Sequence, residues 1–443
     1  MDIKQFEYKP LAHYSYAIIS DGKMVVIDPE RNPMQYYDFA EANNAKITAV
    51  IETHPHADFV SSHLQIHKET GATIYSSQKT GADYPHSAFD GGISIEIGNV
   101  TLKAIDTPGH SPDSITVVAT QGDETVLFTG DTLFIGDVGR PDLRENAGNM
   151  TAKRQELAEM MFDTVQNKFT DLPDRAVVYP AHGAGTLCGK SISEDNSSTL
   201  ENERAGNWAF KKQSKKEFTD TLLDDQPFVP SYFGYNVDVN KAGADTLREA
   251  LGQIPFKINT SVDGLIVDVR DEATFKKGHL KGSINIQATT ENAKFETWLG
   301  AIVQPKEEFS IVIEKPKDLD SILERVAIIG YEKQLKQVFT LSSENLVSME
   351  ALDLDNFKDN PDQYAIVDIR NRSEINEGKF FESALAHPLN KLRDTANEIP
   401  DDKPIVVHCA GGYRSAAGSS ILKRKMPEAQ VYDLSDAIEN FKS

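Results

Sequence analysis

Short apolar runs rich in β-branched residues recur along the first half of the chain: YAIIS, MVVIDPE, KITAVIETH, ATIYSS, ISIEIGNVTLKAIDT, SITVVAT and TVLFTGD. Runs of this length and composition predict strands. Between them SSHLQIHKETG and TAKRQELAEMMFDTVQNKF carry apolar residues at helical spacing, the second behind a capping residue at Asn149 or Thr151. Strand pairs flanked by helices imply an α/β domain layered αββα. Polar residues dominate from Ser191 to Asp225, and Pro227 and Pro230 punctuate the end of that stretch. The pattern therefore sets a first domain at residues 1–240.

The remainder contains an internal repeat. Val267-Asp268-Val269-Arg270 recurs as Val367-Asp368-Ile369-Arg370, and each copy runs through a polar helix-forming stretch to an apolar segment, SINIQ or LAHPLN. Each then reaches a buried-strand run, FSIVIE at 309–314 or PIVVHC at 404–409. Two small doubly wound α/β domains are expected, at residues 241–341 and 342–443. The copies diverge after that strand, where chemistry is commonly placed in α/β folds. The second reads Cys409-Ala410-Gly411-Gly412-Tyr413-Arg414-Ser415, the first Glu314-Lys315-Pro316-Lys317-Asp318. With no nucleophile and no glycines to let amides converge, the first copy reads as a degenerate structural domain.

Composition narrows the function. The chain has 443 residues, and 39% hydrophobic against 26% charged residues is the balance of folded protein. A formal charge of −22 repels phosphate backbones and anionic lipid, which argues against nucleic-acid and membrane-surface roles. Only Cys188 and Cys409 are present, too few for a disulfide framework. The first residues show no basic segment leading into an apolar one, and no 18 apolar residues run together. A soluble protein of the reducing cytoplasm is expected.

Four β-type runs end at metal-binding residue types beside glycine or proline: His54-Pro55-His56-Ala57-Asp58, then His110 after Thr107-Pro108-Gly109, Asp131 after Gly130, and His182 after Pro180-Ala181. One such histidine is ordinarily a hydrogen-bonded turn residue; four point to clustered ligands. The motifs THPHAD, TPGH, GD and PAHG, in this order, resemble the metallo-β-lactamase superfamily. Dinuclear hydrolases of that superfamily end the first motif in Asp-His, and the last histidine helps hold a second metal. Here that position is Phe59, which has no lone pair to offer. The departure favours one metal and narrows the resemblance to the persulfide dioxygenases, which the segment GDTLFIGDVGRPD at 130–142 also suggests. That resemblance implies one Fe(II) per chain on His54, His110 and Asp131, a two-histidine, one-carboxylate set with open positions. His56, Asp58 and His182 would then act indirectly, orienting ligands or binding substrate, and Lys190 would attract an anionic substrate. Cys188, in AHGAGTLCGK close behind His182, is either a buried loop residue or a persulfide acceptor.

Cys409 ends a buried run and opens CAGGYRS before a predicted helix, facing amides and the positive end of a helix dipole, an arrangement that favours a thiolate. The loop resembles that of the rhodaneses. Four residues separate Cys409 from Arg414, one fewer than in cysteine phosphatases, and the tighter ring suits a sulfur atom better than a tetrahedral oxyanion. Arg414 would brace the loop or hold a sulfonate oxygen.

The fold expected is thus an αββα metallo-β-lactamase sandwich followed by two small doubly wound α/β rhodanese-like domains. The activity the resemblances imply is oxidation of a glutathione- or coenzyme A-type persulfide by O₂ to sulfite and thiol, joined to sulfur exchange among persulfide, sulfite and thiosulfate on Cys409. Related enzymes imply a dimer or tetramer. Two alternatives stand: a dinuclear hydroxyacylglutathione-type thioester hydrolase, and a sulfur carrier without oxygenase activity.

Overall fold

The computed structural model describes residues 1–144, 153–290 and 293–442. It divides into two compact units, residues 1–250 with 327–330, and residues 251–326 with 331–443.

The first unit is built on two six-stranded sheets. One runs in the order Asp2–Tyr8, His13–Ser20, Lys23–Ile27, Lys46–Ile51, Thr73–Ser76, Ser87–Ala88. Its first three strands pair antiparallel and the rest parallel. The other runs Ser198–Thr199, Val177–Pro180, Glu124–Gly130, Ile115–Gln121, Val100–Asp106, Ser94–Ile97. The two-residue period of a strand sorts its side chains into layers. Tyr16, Ile18, Val25, Ile27 and Ile51 meet Val100, Leu102, Val117, Ala119 and Phe128 between the sheets. Their neighbours Ala17, Met24, Val26 and Val50 face outward onto Tyr36, Ala40 and Ile66 of the helices Met34–Ala42 and His63–Thr70. On the far side Val118, Leu127 and Val178 cover Ala158, Met161 and Val165 of the helix Arg154–Asn167, and Leu222 of Lys215–Leu223. Each fully buried Val, Leu or Ile contributes about 1.5–3 kcal/mol, enough for the two-sided burial to define the αββα order.

Three segments gain detail. The run ISIEIGNVTLKAIDT is two strands, Ser94–Ile97 and Val100–Asp106. Gly98 turns the chain at φ +58°, where a Cβ would lie 2.4 Å from the Ser20 carbonyl oxygen. The polar stretch after Ser191 holds the helices Leu200–Gly206 and Lys215–Leu223, the latter closed by a Ser214/Glu217 capping box. The helix Tyr232–Ala242 runs across the boundary expected at 240. The caps proposed at Asn149 and Thr151 lie outside the described residues; the helix itself starts at Arg154 behind Lys153.

The second unit carries two parallel sheets. The larger is ordered Phe256–Thr260, Leu335–Leu341, Phe309–Val312, Ile266–Asp268, Ile284–Asn285; the smaller Leu385–Ala386, Ala365–Asp368, Ile405–His408, Val431–Asp433. The repeated Val-Asp-x-Arg has the same job in both copies. Asp268 and Asp368 end their strands buried and grip the guanidinium two residues on, and Arg270 and Arg370 also donate to the carbonyls of Gly278 and Gly378. Carboxylate, arginine and turn carbonyl thus lock each strand end.

Candidate metal centre and cysteine loop

The strands Lys46–Ile51, Val100–Asp106, Glu124–Gly130 and Val177–Pro180 deliver His54, His110, Asp131 and His182 at or shortly beyond their C-terminal ends. The first three form one buried group whose ligand atoms lie within 4.8 Å of one another. Nε2 of His54 is 3.8 Å, and Nε2 of His110 3.5 Å, from Asp131 Oδ2. These separations are too long for hydrogen bonds. They suit ligands facing a common ion, since two atoms each about 2.0–2.1 Å from a metal lie roughly 3 Å apart. His54 Nε2 and Asp131 Oδ2 have no hydrogen-bond partner although both are buried. The residues present fit a metal ion.

A chain of hydrogen bonds selects the imidazole form. The Thr53 hydroxyl donates to Asp28 Oδ2 over 2.8 Å, so its oxygen accepts from Nδ1–H of His54 over 3.0 Å. The Nε2 lone pair is then directed at the centre. Burial, reinforced by the charge of His56, holds the His54 pKa well below its ordinary value, which keeps that lone pair available. Burial opposes the charge on Asp131, but His182, His110 and His54 outweigh it and hold the carboxyl well below the usual range.

His182 is engaged by two carboxylates. Its Nδ1 donates to Asp131 Oδ1 and its Nε2 to Asp58 Oδ2, each over 2.8 Å. Burial disfavours its charge, yet Asp131 and Asp58 together raise its pKa well above the ordinary value. With Oδ1 so held, Oδ2 of Asp131 is left to face the same centre as Nε2 of the two histidines. His56 turns away from the trio, with Nε2 3.1 Å from Asp28 Oδ1 and 3.8 Å from Glu52 Oε2. These carboxylates overcome burial and set its pKa at about 8. Phe59 is fully buried, its ring centroid 4.0 Å from that of His13 and 4.4 Å from that of His56, so the position that would carry a ligand holds an apolar wedge.

Cys188 is brought in: its sulfur joins Asp58 and His182 in a second group of potential ligands, within the same 4.8 Å limit. Burial and the charges of Asp131 and Asp58 push the thiol pKa well up, so the protonated form is favoured. Arg140 secures its loop, donating from the main chain to the Cys188 carbonyl and from Nη1 to Leu187. Lys190 is not brought in. Its ammonium is spent on the carbonyls of Thr221 and Asp224 at the end of the helix Lys215–Leu223.

Sequence reading missed several parts. Asn240, from the helix Tyr232–Ala242, donates to the carbonyls of His56 and Phe59 and accepts from the Ser61 amide, each over 2.8 Å, which fixes the first motif's loop. Gly139 sits so close that a Cβ would lie 1.9 Å from the Asp131 carbonyl oxygen and 2.9 Å from His110 Nδ1. His13 packs against His56, Phe59 and His182. Only Gly139 carried a sequence cue, through its place in GDVGRPD.

In the second unit Cys409 follows the strand Ile405–His408 and precedes the helix Ser415–Lys425. The Gly412 amide donates to its sulfur over 3.2 Å. Gly412 is at φ +89°, with the Asp436 nitrogen 2.6 Å from where a Cβ would stand, so glycine is required there. Ser415 Oγ donates to the Gly412 carbonyl over 2.6 Å, whereas Gly411 opens onto free space. Arg414 is committed as a brace: its two terminal nitrogens hold the Glu374 carboxylate at 2.7 and 2.6 Å. The loop leans on the first copy of the repeat, as Tyr413 donates its hydroxyl to the Ala293 carbonyl and accepts at its own carbonyl from Gln287. Ala410 lines the half-buried lip of the loop.

Residues 8–182 match the metallo-beta-lactamase superfamily, and residues 245–331 and 351–443 match the rhodanese-like domain. A metallo-beta-lactamase of solved structure from Staphylococcus aureus subsp. aureus COL is 30% identical, covering 77% of this chain and 99% of its own, with a TM-score of 0.68. The chain belongs to the metallo-β-lactamase superfamily. This superfamily member carries a pair of rhodanese-like domains behind its catalytic-type sandwich. Among its curated relatives the mitochondrial persulfide dioxygenase of Bos taurus is 29% identical over 173 residues, 39% of this chain and 63% of the relative. A probable hydroxyacylglutathione hydrolase of Schizosaccharomyces pombe is 30% identical over 177 residues, 38% and 63% respectively. The chain spans less than two thirds of either. Among the described residues no helix is long and apolar enough to cross a membrane.

Proposed function

We propose that the first unit oxidises a low-molecular-weight persulfide with O₂ at a single Fe(II) held by His54, His110 and Asp131, and that Cys409 exchanges the sulfur. The observation that supports this reading is the convergence of the ligand atoms of His54, His110 and Asp131, two imidazoles and one carboxylate, near a position closed by Phe59; two other buried groups, Asp58 with His182 and Cys188 and Asp28 with Glu52 and His56, also bring potential ligand atoms together. Two imidazoles and one carboxylate suit Fe(II) with open positions, and iron supplies the redox chemistry with O₂ that zinc lacks. The protein's part is positional. Asp28 and Thr53 hold the His54 tautomer, and His182 holds Asp131. Overall, RSSH + O₂ + H₂O gives RSH + SO₃²⁻ + 2H⁺, the outer sulfur losing the four electrons that O₂ gains.

The Cys409 sulfur attacks the outer sulfur of a donor persulfide, the donor's S–S bond breaks, and the parent thiol departs with that bond's electron pair. Sulfite then attacks that sulfur, the S–S bond breaks, its electron pair returns to Cys409, and thiosulfate departs. The Gly412 amide donates to the cysteine sulfur, the atom to which the electron pair returns as thiosulfate leaves. One chain carrying both sites raises the effective concentration of the shared intermediates. The reading takes the site as intracellular chemistry on glutathione- or coenzyme A-type persulfides.

A second reading is favoured by one observation: Asp58, His182 and Cys188 form a candidate second ligand set, and hydrolases are among the relatives. It makes the protein a dinuclear thioester hydrolase. A sulfur carrier lacking oxygenase activity would instead persulfidate Cys409 with an inert first unit. Metal analysis of anaerobically purified protein, followed by an oxygen electrode with glutathione persulfide, separates the three. One iron per chain with O₂ uptake and sulfite release is expected. Two metals with anaerobic turnover of S-lactoylglutathione selects the hydrolase, and one bound iron without O₂ uptake refutes the dioxygenase.

A further inference from the structure

Within the second unit a cavity of about 570 Å³ is lined by segments of both rhodanese-like copies, a size typical of small-molecule sites, which run roughly 300–1,000 Å³. It lies away from the Cys409 loop in sequence and in its lining: the Cys409 helix Ser415–Lys425 contributes to it through its later residues.

Its polar side is cationic in a chain of net charge −22. Lys281 comes from the middle domain, and Lys423 and Arg424 from the last turn of the Cys409 helix. Main-chain carbonyls hold Lys423 and Arg424. Lys423 Nζ donates to Ala429 over 2.8 Å, and Arg424 donates to Gly282 over 2.6 Å and Gly264 over 3.3 Å. A cation anchored by neutral oxygens is positioned without being neutralised. Burial, with the nearby charge of Arg393, lowers the Arg424 pKa against the opposing charge of Glu307, which is itself paired with Arg393. The lining's one carboxylate, Glu350, accepts from Gln430. Val347, Met349 and Val431 add apolar surface to the lining, and Val347 is 38% exposed.

We propose that this cavity binds a phosphorylated organic small molecule of nucleotide size, its phosphates on Lys281, Lys423 and Arg424 and its less polar body against Val347, Met349 and Val431. The degenerate copy then has a definite role, since without Lys281 and Gly282 the site loses one cation and the anchor of another. Neither Cys409 nor the metal centre takes part.

The test is calorimetry on the full-length, metal-loaded protein at low salt, with ADP and inorganic pyrophosphate as probes. Saturable binding of one ADP per chain, tighter than pyrophosphate, is expected. The double variant Lys281→Glu/Lys423→Glu, altered at exposed positions, should weaken ADP about tenfold or more, as loss of two charge-assisted contacts implies. Its sulfur transfer without probe and its melting midpoint should match the parent. Absence of saturable binding by either probe, or binding indifferent to the charge reversal, overturns the proposal. Pyrophosphate binding as tightly as ADP overturns the organic body.

Discussion

Replacing Glu374 by Gln tests whether the Arg414 brace governs the sulfur-transfer loop. The carboxylate meets two guanidinium nitrogens at 2.6 and 2.7 Å, with Arg414 12% and Glu374 30% exposed at the side chain. Breaking a fully buried pair costs about 3–5 kcal/mol. Glu374 is partly solvated and glutamine retains one acceptor, so we expect about 2 kcal/mol, in the range for a hydrogen bond to a charged group. If the whole loss falls on loop geometry, kcat/KM for sulfur transfer from thiosulfate to cyanide drops about 30-fold. The melting midpoint of a unit of this size falls by about 4–8 °C. O₂ consumption stays at the parent rate. The pH dependence supplies a second arm. Burial raises the Glu374 pKa, but the Arg414 hydrogen bonds and charge outweigh it and leave it depressed. A depressed carboxyl contributes stability that is present above its unfolded value of about 4.3 and lost as pH falls through the lower folded value. The parent should lose this component in acid and the Gln variant should lack it throughout. Sulfur transfer within about twofold of the parent, with an unchanged midpoint, would show that the pair is worth no more than an exposed ion pair and refute the reasoning.

Two further outcomes are expected. Cys409→Ser abolishes sulfur transfer and leaves most O₂ consumption, measured on one iron-loaded preparation; equal loss of both contradicts separate sites. Gly139→Ala drives a Cβ against the Asp131 carbonyl and His110. Metal affinity by competitive chelation should drop by about tenfold or more, as changes behind metal ligands commonly do, and full affinity would show that the close approach is immaterial.

What could be read from the sequence was whatever local order encodes. Apolar runs stopped by Pro or Gly place His54, His110, Asp131 and His182 at strand ends, because a strand's end is set by its own few residues. The Cys409 loop is legible for the same reason, since Gly412 must adopt a positive φ within the motif itself. The repeated Val-Asp-x-Arg is likewise a short-range lock. The tertiary structure alone decided which polar groups meet. It turned His56 toward Asp28, spent His182 on two carboxylates, drew Cys188 to the centre and tied Lys190 to a distant helix end. Asn240 reaches the His56 carbonyl across 184 positions, and Glu374 reaches Arg414 across 40. Hydrogen bonds between such residues leave no periodic trace along the chain, because their strength depends on distance and direction in the folded state and not on neighbours in sequence.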